Sequence, residues 1–155
     1  MTLTATENIF WNKYIKSLPY DQRLRTVFVE AGYCGSRDIT NSLIALYLSY
    51  KKSAGSSLVA DFAHHADPLP KVGNYWIALD SGDNPKLILK TVSVEFNRFG
   101  AMPERIAKAE GEGDCSLAHW KAVHERHWAP YLQKWGVANI NNAEVVTEFY
   151  QLVFK

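Results

Sequence analysis

Two strand-forming segments joined by a turn stand near the middle of the chain. Tyr75–Leu79 and residues 87–96 are rich in side chains that favour strands, and the intervening residues 80–85, DSGDNP, have the composition of a turn. In residues 91–96 polar and apolar side chains alternate, which predicts that one face of this strand is buried. The pattern predicts a β-hairpin.

Helical patterns lie on both sides of this hairpin. Apolar side chains recur at spacings of three and four in residues 6–18 and again in residues 38–52. A short helix is predicted at 102–109, where Gly111 ends it, and Ser116 is predicted to cap a longer helix that follows. The chain therefore contributes several amphipathic helices to the fold.

The remaining segments decide the fold class. Residues 32–36, 53–57 and 58–71 contain glycine, serine or proline and are predicted to be loops, whereas the nearly continuous apolar segment 145–154 predicts a central strand. Helices and strands do not alternate regularly, so a parallel doubly wound sheet is not expected. The predicted fold is α+β, with a curved antiparallel sheet, favouring a small β-barrel flanked by helices.

Composition limits the class of protein. A chain of 155 residues predicts a single domain, and its 47% hydrophobic content is enough for a core. The net charge of +1 gives no overall attraction to a polyanion or a membrane. Cys34 and Cys115 form no disulfide framework, and no signal sequence or membrane-spanning segment is apparent. We expect a soluble cytoplasmic protein without membrane partners.

The acidic string EGEGDCSL at residues 110–117 is the most informative local motif. Glycines let the backbone turn sharply, so Glu112 and Asp114 could converge with helix-start amides as a base, a metal ligand or a ribose acceptor. The alternative is purely structural, because Asp114 or Ser116 would cap the following helix whether or not anything binds. Both interpretations stay open at this level.

A basic and hydroxyl-rich turn precedes it in the chain. Lys51 and Lys52 are followed by Ser53, Gly55 and Ser56, a composition that suits an anion or phosphate site. The alternative is that the lysines complement the negative end of a helix dipole. A Walker pattern is absent from this turn.

Histidines and tryptophans offer two weaker signals. His124 and His127 are three residues apart on a predicted helix, a spacing that permits a shared metal, but the HExxH pattern is missing and pocket-lining histidines are the commoner case. His64 and His65 are expected in a solvated loop. The tryptophans are mostly expected in the core, although one at a cleft mouth could stack on a base; they are Trp11, Trp76, Trp120, Trp128 and Trp135.

Several strings together resemble the ASCH domain family. They are LPKVG at 69–73, IALD at 77–80, EGEGDCSLAHW at 110–120 followed by His124, and VVTEF at 145–149. The resemblance extends from Phe10 to Phe154. It implies one ASCH domain over residues 1–155 with a PUA-like β-barrel, residues 1–35 being an N-terminal helical extension packed on the barrel. It also implies a cleft for RNA or nucleosides, with ribonuclease activity or hydrolysis of acetylated cytidine in some members.

One branch of that family, the amidohydrolases, uses a Gly-x-Lys-x-x-Thr turn and a later glutamate. The resemblance places Lys52 at the lysine and Glu112 at the glutamate. Tyr50 stands where the glycine belongs and Gly55 where the threonine belongs, so the expected nucleophile is missing. Ser53 or Ser56 would have to replace it, which requires activation of the serine hydroxyl by Lys52.

We therefore expect an RNA- or nucleotide-binding protein that acts as a ribonuclease. In this hypothesis Lys51 and Lys52 contact phosphate, and Glu112 or Asp114 binds ribose or acts as the base. The alternatives are amide hydrolysis through Lys52, Ser53 or Ser56 and Glu112, and a noncatalytic RNA-binding or regulatory module. Ser116 and His124 are expected to line the substrate site. No cofactor is certain, and a divalent metal stays open.

Overall fold

The computed structural model describes residues 2–23 and 26–155. The helices are α1 (Ala5–Ser17), α2 (Thr40–Leu48), α3 (Val59–His65), α4 (Glu104–Glu110) and α5 (Leu117–Trp128). The strands are β1 (Val29–Tyr33), β2 (Ala54–Leu58), β3 (Tyr75–Leu79), β4 (Pro85–Arg98) and β5 (Glu144–Phe154). Short 3-10 turns cover Tyr20–Gln22, Phe99–Ala101 and Ile140–Asn142. The predicted α+β class is confirmed.

The strands form one sheet in the order β1-β3-β4-β5-β2. The predicted hairpin is confirmed as β3 and β4, which pair antiparallel with Ile77 opposite Ile88. β2 also pairs antiparallel, with β5. β1 is different because it pairs parallel with β3, placing Ala31 opposite Ile77. The expectation of a wholly antiparallel sheet is corrected at this one edge.

Three elements lie where the sequence predicted loops. β1 includes Gly32, β2 consists largely of Gly55 and small polar residues, and α3 is a single short helix of seven residues. Strand propensity missed β1 and β2 because their ordering comes from pairing with β3 and β5 rather than from their own side chains. The prediction failed where tertiary pairing overrides local preference.

The chain divides into two compact units by contact. In the unit that contains α1, α2 and β3, aromatic side chains build much of the core: Trp11, Tyr14 and Tyr75 pack against one another, with ring centroids 5.2, 5.4 and 5.9 Å apart. The predicted N-terminal extension, 1–35, therefore contains the packed helix α1, but it also contains strand β1. The single-domain assignment stays a prediction.

The other unit comprises Lys51–Lys71 and Ser93–Phe149. Its core is a cluster of buried side chains from β2, α4, α5 and β5 that includes Trp120 and Trp128. Both tryptophans are thus core residues, as expected for most of the five. Trp120 and Trp128 meet edge to face at 6.3 Å, which favours a fixed orientation for α5. None of the helices in the described part of the chain is long and apolar enough to cross a membrane.

Candidate active site

Lys52 is the centre of a buried ionic cluster two residues before β2. Its side chain is only 4% exposed. Its Nζ donates to Glu112 Oε2 at 2.9 Å and to Glu110 Oε2 at 3.2 Å, and lies 3.4 Å from the Glu110 carbonyl oxygen. The basic turn and the acidic segment, 58 and 60 residues apart in sequence, therefore meet in space.

Gly111 makes this meeting possible. It ends α4, as predicted, in the left-handed region at φ 65°. A Cβ at this position would lie 2.0 Å from the carbonyl oxygen of Lys51, so only glycine allows the two backbones to approach so closely. The Ser53 amide donates to the Ala109 carbonyl at 2.8 Å and so satisfies a carbonyl at the end of α4. Backbone contacts thus fix the position of the acidic segment.

Glu110 is the most completely enclosed carboxylate of the cluster, with its side chain 2% exposed. Its Oε1 accepts from Trp120 Nε1 at 2.8 Å, and its Oε2 lies 3.4 Å from His124 Nε2. Burial raises the pKa of Glu110, but the Lys52 charge and hydrogen bonds from His124 and Ser56 oppose it, and the resulting pKa lies well below its usual range. Glu110 is therefore an anion in the folded protein.

The two carboxylates keep Lys52 charged. Burial lowers the pKa of Lys52, but the charges of Glu110 and Glu112 outweigh this effect and raise the pKa above its usual value. One ammonium between two carboxylates leaves this trio with a net negative charge. The expected contact of Lys52 with a substrate phosphate is therefore not supported, because the ammonium is enclosed and already paired.

Glu112 occupies a different environment from Glu110. Its side chain is 21% exposed, and it lines a shallow surface depression that is too small to enclose a water molecule. The other lining residues are Ala107, His119, Trp120, Val123 and His124. The Glu112 carboxylate, which is paired with Lys52, thus faces the same small depression as the imidazoles of His119 and His124.

The turn after Glu112 brings His119 into this depression. Cys115 donates its amide to the Glu112 carbonyl at 2.9 Å, which closes the turn. Gly113, the residue directly after Glu112, has φ 58°, and a Cβ on it would lie 2.4 Å from Nε2 of His119. The second glycine of the acidic string therefore leaves the space that the His119 ring occupies.

Asp114 and Ser116 have the structural role that the sequence left open. Asp114 Oδ1 accepts from the Ser116 amide at 2.9 Å, and hydrogen bonds with the Ser116 side chain and amide lower the pKa of Asp114. Ser116 caps α5 by accepting from the His119 amide at 3.1 Å. Neither residue lines the depression, so the geometry favours capping over the expected substrate-binding role.

Three further predicted site residues remain: Lys51 and Ser53 lie at the surface, and Ser56 is part-buried. Lys51 has an exposed side chain at the edge of the acidic turn. Ser53 is exposed, and its hydroxyl lies 3.4 Å from the Ala109 carbonyl. Ser56 is part-buried, with its hydroxyl 2.8 Å from Thr147 Oγ1, and this hydroxyl contributes to lowering the pKa of Glu110. Of the two candidate serines, Ser56 is the one that affects the pKa of Glu110.

The histidines do not form a metal site among residues 2–23 and 26–155. No group of three or more His, Cys, Asp or Glu side chains there is arranged to hold a metal ion. His124 lies against Trp120, with its ring stacked 4.1 Å away and its Nδ1 2.8 Å from the Trp120 carbonyl oxygen. His127 is exposed, and His64 and His65 lie at the end of α3 and are also exposed.

Sequence reasoning missed Glu110, Trp120 and His119 as parts of the site. A signal for Glu110 existed, because it follows Ile106 and Ala107 by four and three residues and so belongs to the buried face of α4. An acid on an otherwise apolar helix face needs a partner, and Trp120 and Lys52 supply it. The sequence alone does not reveal which residues those partners are.

The family model of the ASCH domain matches residues 30–154. The chain therefore belongs to the ASCH domain family, which is a PUA-like family. The expectation drawn from the strings in the sequence is therefore confirmed.

Solved structures that are similar to this one include two ASCH-like folds, one from Lactobacillus crispatus and one from Enterococcus faecalis. The ASCH domain from Lactobacillus crispatus JV V101 has a TM-score of 0.92 and 23% identity, over 100% of this chain and 98% of that chain. Protein EF3133 from Enterococcus faecalis V583 has a TM-score of 0.79 and 25% identity, over 95% of this chain and 87% of that chain. No curated protein matches the chain at a significant level.

Proposed function

We propose that the protein binds RNA at the depression beside Glu112 and cleaves it. The observation that carries this proposal is the position of Glu112. Lys52 holds it at 2.9 Å, yet it is part-exposed in one depression with His119 and His124. A carboxylate and an imidazole around one space are an acid–base pair suited to proton transfer.

The reaction assigned to this pair is attack of the ribose 2′-oxygen on the adjacent phosphorus. Glu112 accepts the 2′-hydroxyl proton, the 2′-oxygen forms a bond to phosphorus, and the bond to the 5′-oxygen breaks. His119 donates a proton to the leaving 5′-oxygen. The products are a 2′,3′-cyclic phosphate and a free 5′-hydroxyl, so no water or outside reagent enters this step.

Charge at the phosphate comes from groups at the surface rather than from Lys52. Lys51 is exposed, and its carbonyl oxygen lies close to Gly111 of the acidic turn. Phosphate contact, which was expected of both lysines, therefore falls to Lys51 alone. Lys51 contacts phosphate, and Lys52 holds Glu112 in position.

Cleavage of end-labelled single-stranded RNA tests this proposal. We expect Glu112→Gln to reduce the rate by about 100-fold or more, the range typical for loss of a general base. Glu144→Gln, the same change at an exposed glutamate, should leave the rate unchanged. RNA with 2′-O-methyl groups should resist cleavage. Equal cleavage by wild type and Glu112→Gln would refute the proposal and point to a contaminating nuclease.

Amide hydrolysis of acetylated cytidine is a second candidate. It is favoured by the Lys52 contact with Glu112 at 2.9 Å, together with the Ser56 hydroxyl in the same cluster. In this reaction the Ser56 oxygen bonds to the amide carbon and the hydroxyl proton passes to a carboxylate of the cluster. The C–N bond then breaks, and the cytidine amine leaves with that proton. Water finally hydrolyses the acetyl-serine ester, which releases acetate and restores the Ser56 hydroxyl. Gly55 in place of the family threonine counts against it, because Ser56 must then act one position further along β2.

Acetate release from acetylated cytidine separates the two candidates. Turnover that disappears in Ser56→Ala but persists in Ser57→Ala, the neighbouring strand residue, would support amide hydrolysis and displace the ribonuclease proposal. If wild type releases no acetate, amide hydrolysis of acetylated cytidine is eliminated as a candidate. If neither substrate reacts but RNA binds with an affinity that falls steeply with salt, the protein is a noncatalytic RNA-binding module.

A further inference from the structure

We propose that Glu110 is the positioning residue of this site: its buried carboxylate holds Lys52, Trp120 and His124 in one arrangement and thereby directs Lys52 to Glu112. This inference rests on the function proposed above. It gives a role to a residue that the predicted reaction does not use.

Each oxygen of Glu110 has its own partners. Oε1 accepts from Trp120 Nε1 at 2.8 Å, whereas Oε2 contacts Lys52 Nζ at 3.2 Å and His124 Nε2 at 3.4 Å. Trp120 is itself fixed, because it is buried and packs against Phe99 with ring centroids 5.6 Å apart. Anchoring Oε1 on a rigid indole sets the direction in which Oε2 points. That direction sets the position of the ammonium.

Lys52 transmits this position to the reacting group. Its Nζ lies 2.9 Å from Glu112 Oε2, which is closer than either of its contacts with Glu110. An ammonium has three donors on a flexible stem and would otherwise sample several positions. Pairing with Glu110 restricts that freedom, so Glu112 is held in place by a chain of contacts that begins at Trp120.

The same carboxylate orients the second imidazole of the depression. His124 Nδ1 lies 2.8 Å from the Trp120 carbonyl oxygen, which is only an acceptor, so Nδ1 carries a hydrogen. Nε2 faces the Glu110 carboxylate. The two contacts, one at each ring nitrogen, fix the plane of the His124 ring. One wall of the depression is thereby fixed as well.

Glu110 itself is not placed to touch a substrate. Its side chain is 2% exposed, compared with 21% for Glu112. It also does not line the depression. Glu110 and Glu112 are two residues apart in sequence, yet Glu110 is buried and Glu112 faces the depression. This contrast is why Glu110 is a positioning residue rather than a catalytic one.

Glu110→Gln tests the proposal, because glutamine keeps the shape and an acceptor for Trp120 but removes the charge. The matched control is Glu104→Gln, an exposed residue in the first turn of the same helix. We measure two properties: RNA cleavage, separated into kcat and KM, and titration of Lys52 by NMR of its side-chain nitrogen. Only the first depends on the protein being an enzyme.

We expect Glu110→Gln to lower kcat by about 100-fold with KM changed little, the loss typical of a misplaced catalytic group. The Lys52 titration should move to lower pH, because the charge of Glu110 raises the pKa of Lys52. An unchanged Lys52 titration overturns the proposal whatever the activity. A shifted titration with unchanged kcat also overturns it, since the arrangement would then not be needed for turnover.

Trp120→Phe provides a second test if Glu110→Gln fails to fold. Phenylalanine keeps much of the packing and all the charges but removes the donor to Oε1. We expect about a 10-fold loss in kcat, consistent with partial misplacement. Unchanged kcat in this variant contradicts the anchoring role of the indole. A wild-type protein that does not cleave RNA refutes the ribonuclease proposal, and the Lys52 titration then still decides whether Glu110 fixes the ammonium.

Discussion

Replacing Lys52 by methionine tests how the buried cluster is held together. Methionine keeps most of the volume of the aliphatic stem but removes the ammonium that lies between Glu110 and Glu112. The variant leaves the Glu110 carboxylate, 2% exposed, without its nearest cation. An uncompensated buried charge is costly because water cannot solvate it.

The expected magnitude follows from this burial. Removing one partner of a buried pair costs about 3–5 kcal/mol in the free energy of unfolding. For a chain of this size that corresponds to a fall in Tm of about 6–20 °C. The double variant Lys52→Met, Glu110→Gln should cost less than the two single changes together, by about 0.5–3 kcal/mol, because it leaves no buried carboxylate at position 110.

The stability loss in Lys52→Met should depend on pH, because the charge of Glu110 depends on pH. The pKa of Glu110 is lower in the folded protein than in the unfolded chain, so this residue stabilises the fold above its unfolded pKa. That stability is lost as the pH falls through the folded pKa. In Lys52→Met the cause of the low pKa is removed, and the carboxyl can be protonated at mildly acidic pH. The stability difference between wild type and variant should therefore shrink as the pH falls.

Urea denaturation followed by tryptophan fluorescence measures these free energies, since Trp120 and Trp128 are buried in the same core. The control is Lys134→Met, because Lys134 is exposed. It should change the free energy of unfolding by no more than about 0.5 kcal/mol. Additive effects of Lys52→Met and Glu110→Gln, or a penalty for Lys52→Met that does not vary with pH, would refute the reasoning.

Two glycine variants test the backbone geometry of the site. Gly111→Ala should be more destabilising than Gly136→Ala, because both residues have positive φ but only the first would place a Cβ 2.0 Å from a backbone oxygen, that of Lys51. Thermal denaturation compares them, and equal losses would contradict the close approach. Gly113→Ala should displace the His119 ring, 2.4 Å from the added Cβ. Histidine NMR should show the displacement, and an unmoved ring with unchanged RNA cleavage would contradict it.

Local signals in the sequence predicted some of the fold well. Gly111 was expected to end α4 and Ser116 to cap α5, and both are confirmed because such ends depend on residues close in sequence. The hairpin of β3 and β4 was predicted for the same reason. β2 was not, because its Gly55 and small polar residues become a strand only through pairing with β5.

The candidate site was only partly predictable. Charge and spacing singled out Lys52 and Glu112, and the family resemblance related them to one site. Burial of a single side chain cannot be read from the sequence. Lys52 was therefore predicted to contact phosphate, although its ammonium is enclosed. Glu110 was overlooked for the same reason. Its role depends on Trp120, ten residues away, and on Lys52, 58 residues away.

The most direct test of the central claim is to locate bound RNA. A short single-stranded RNA with 2′-O-methyl groups, which the proposed reaction cannot cleave, can be titrated into the protein while NMR follows backbone and histidine resonances. We expect the largest shifts at Glu112, His119 and Val123, which line the depression, and at Lys51 beside it. Binding that shifts resonances elsewhere and leaves these four residues unchanged would contradict the claim that this depression is the functional site.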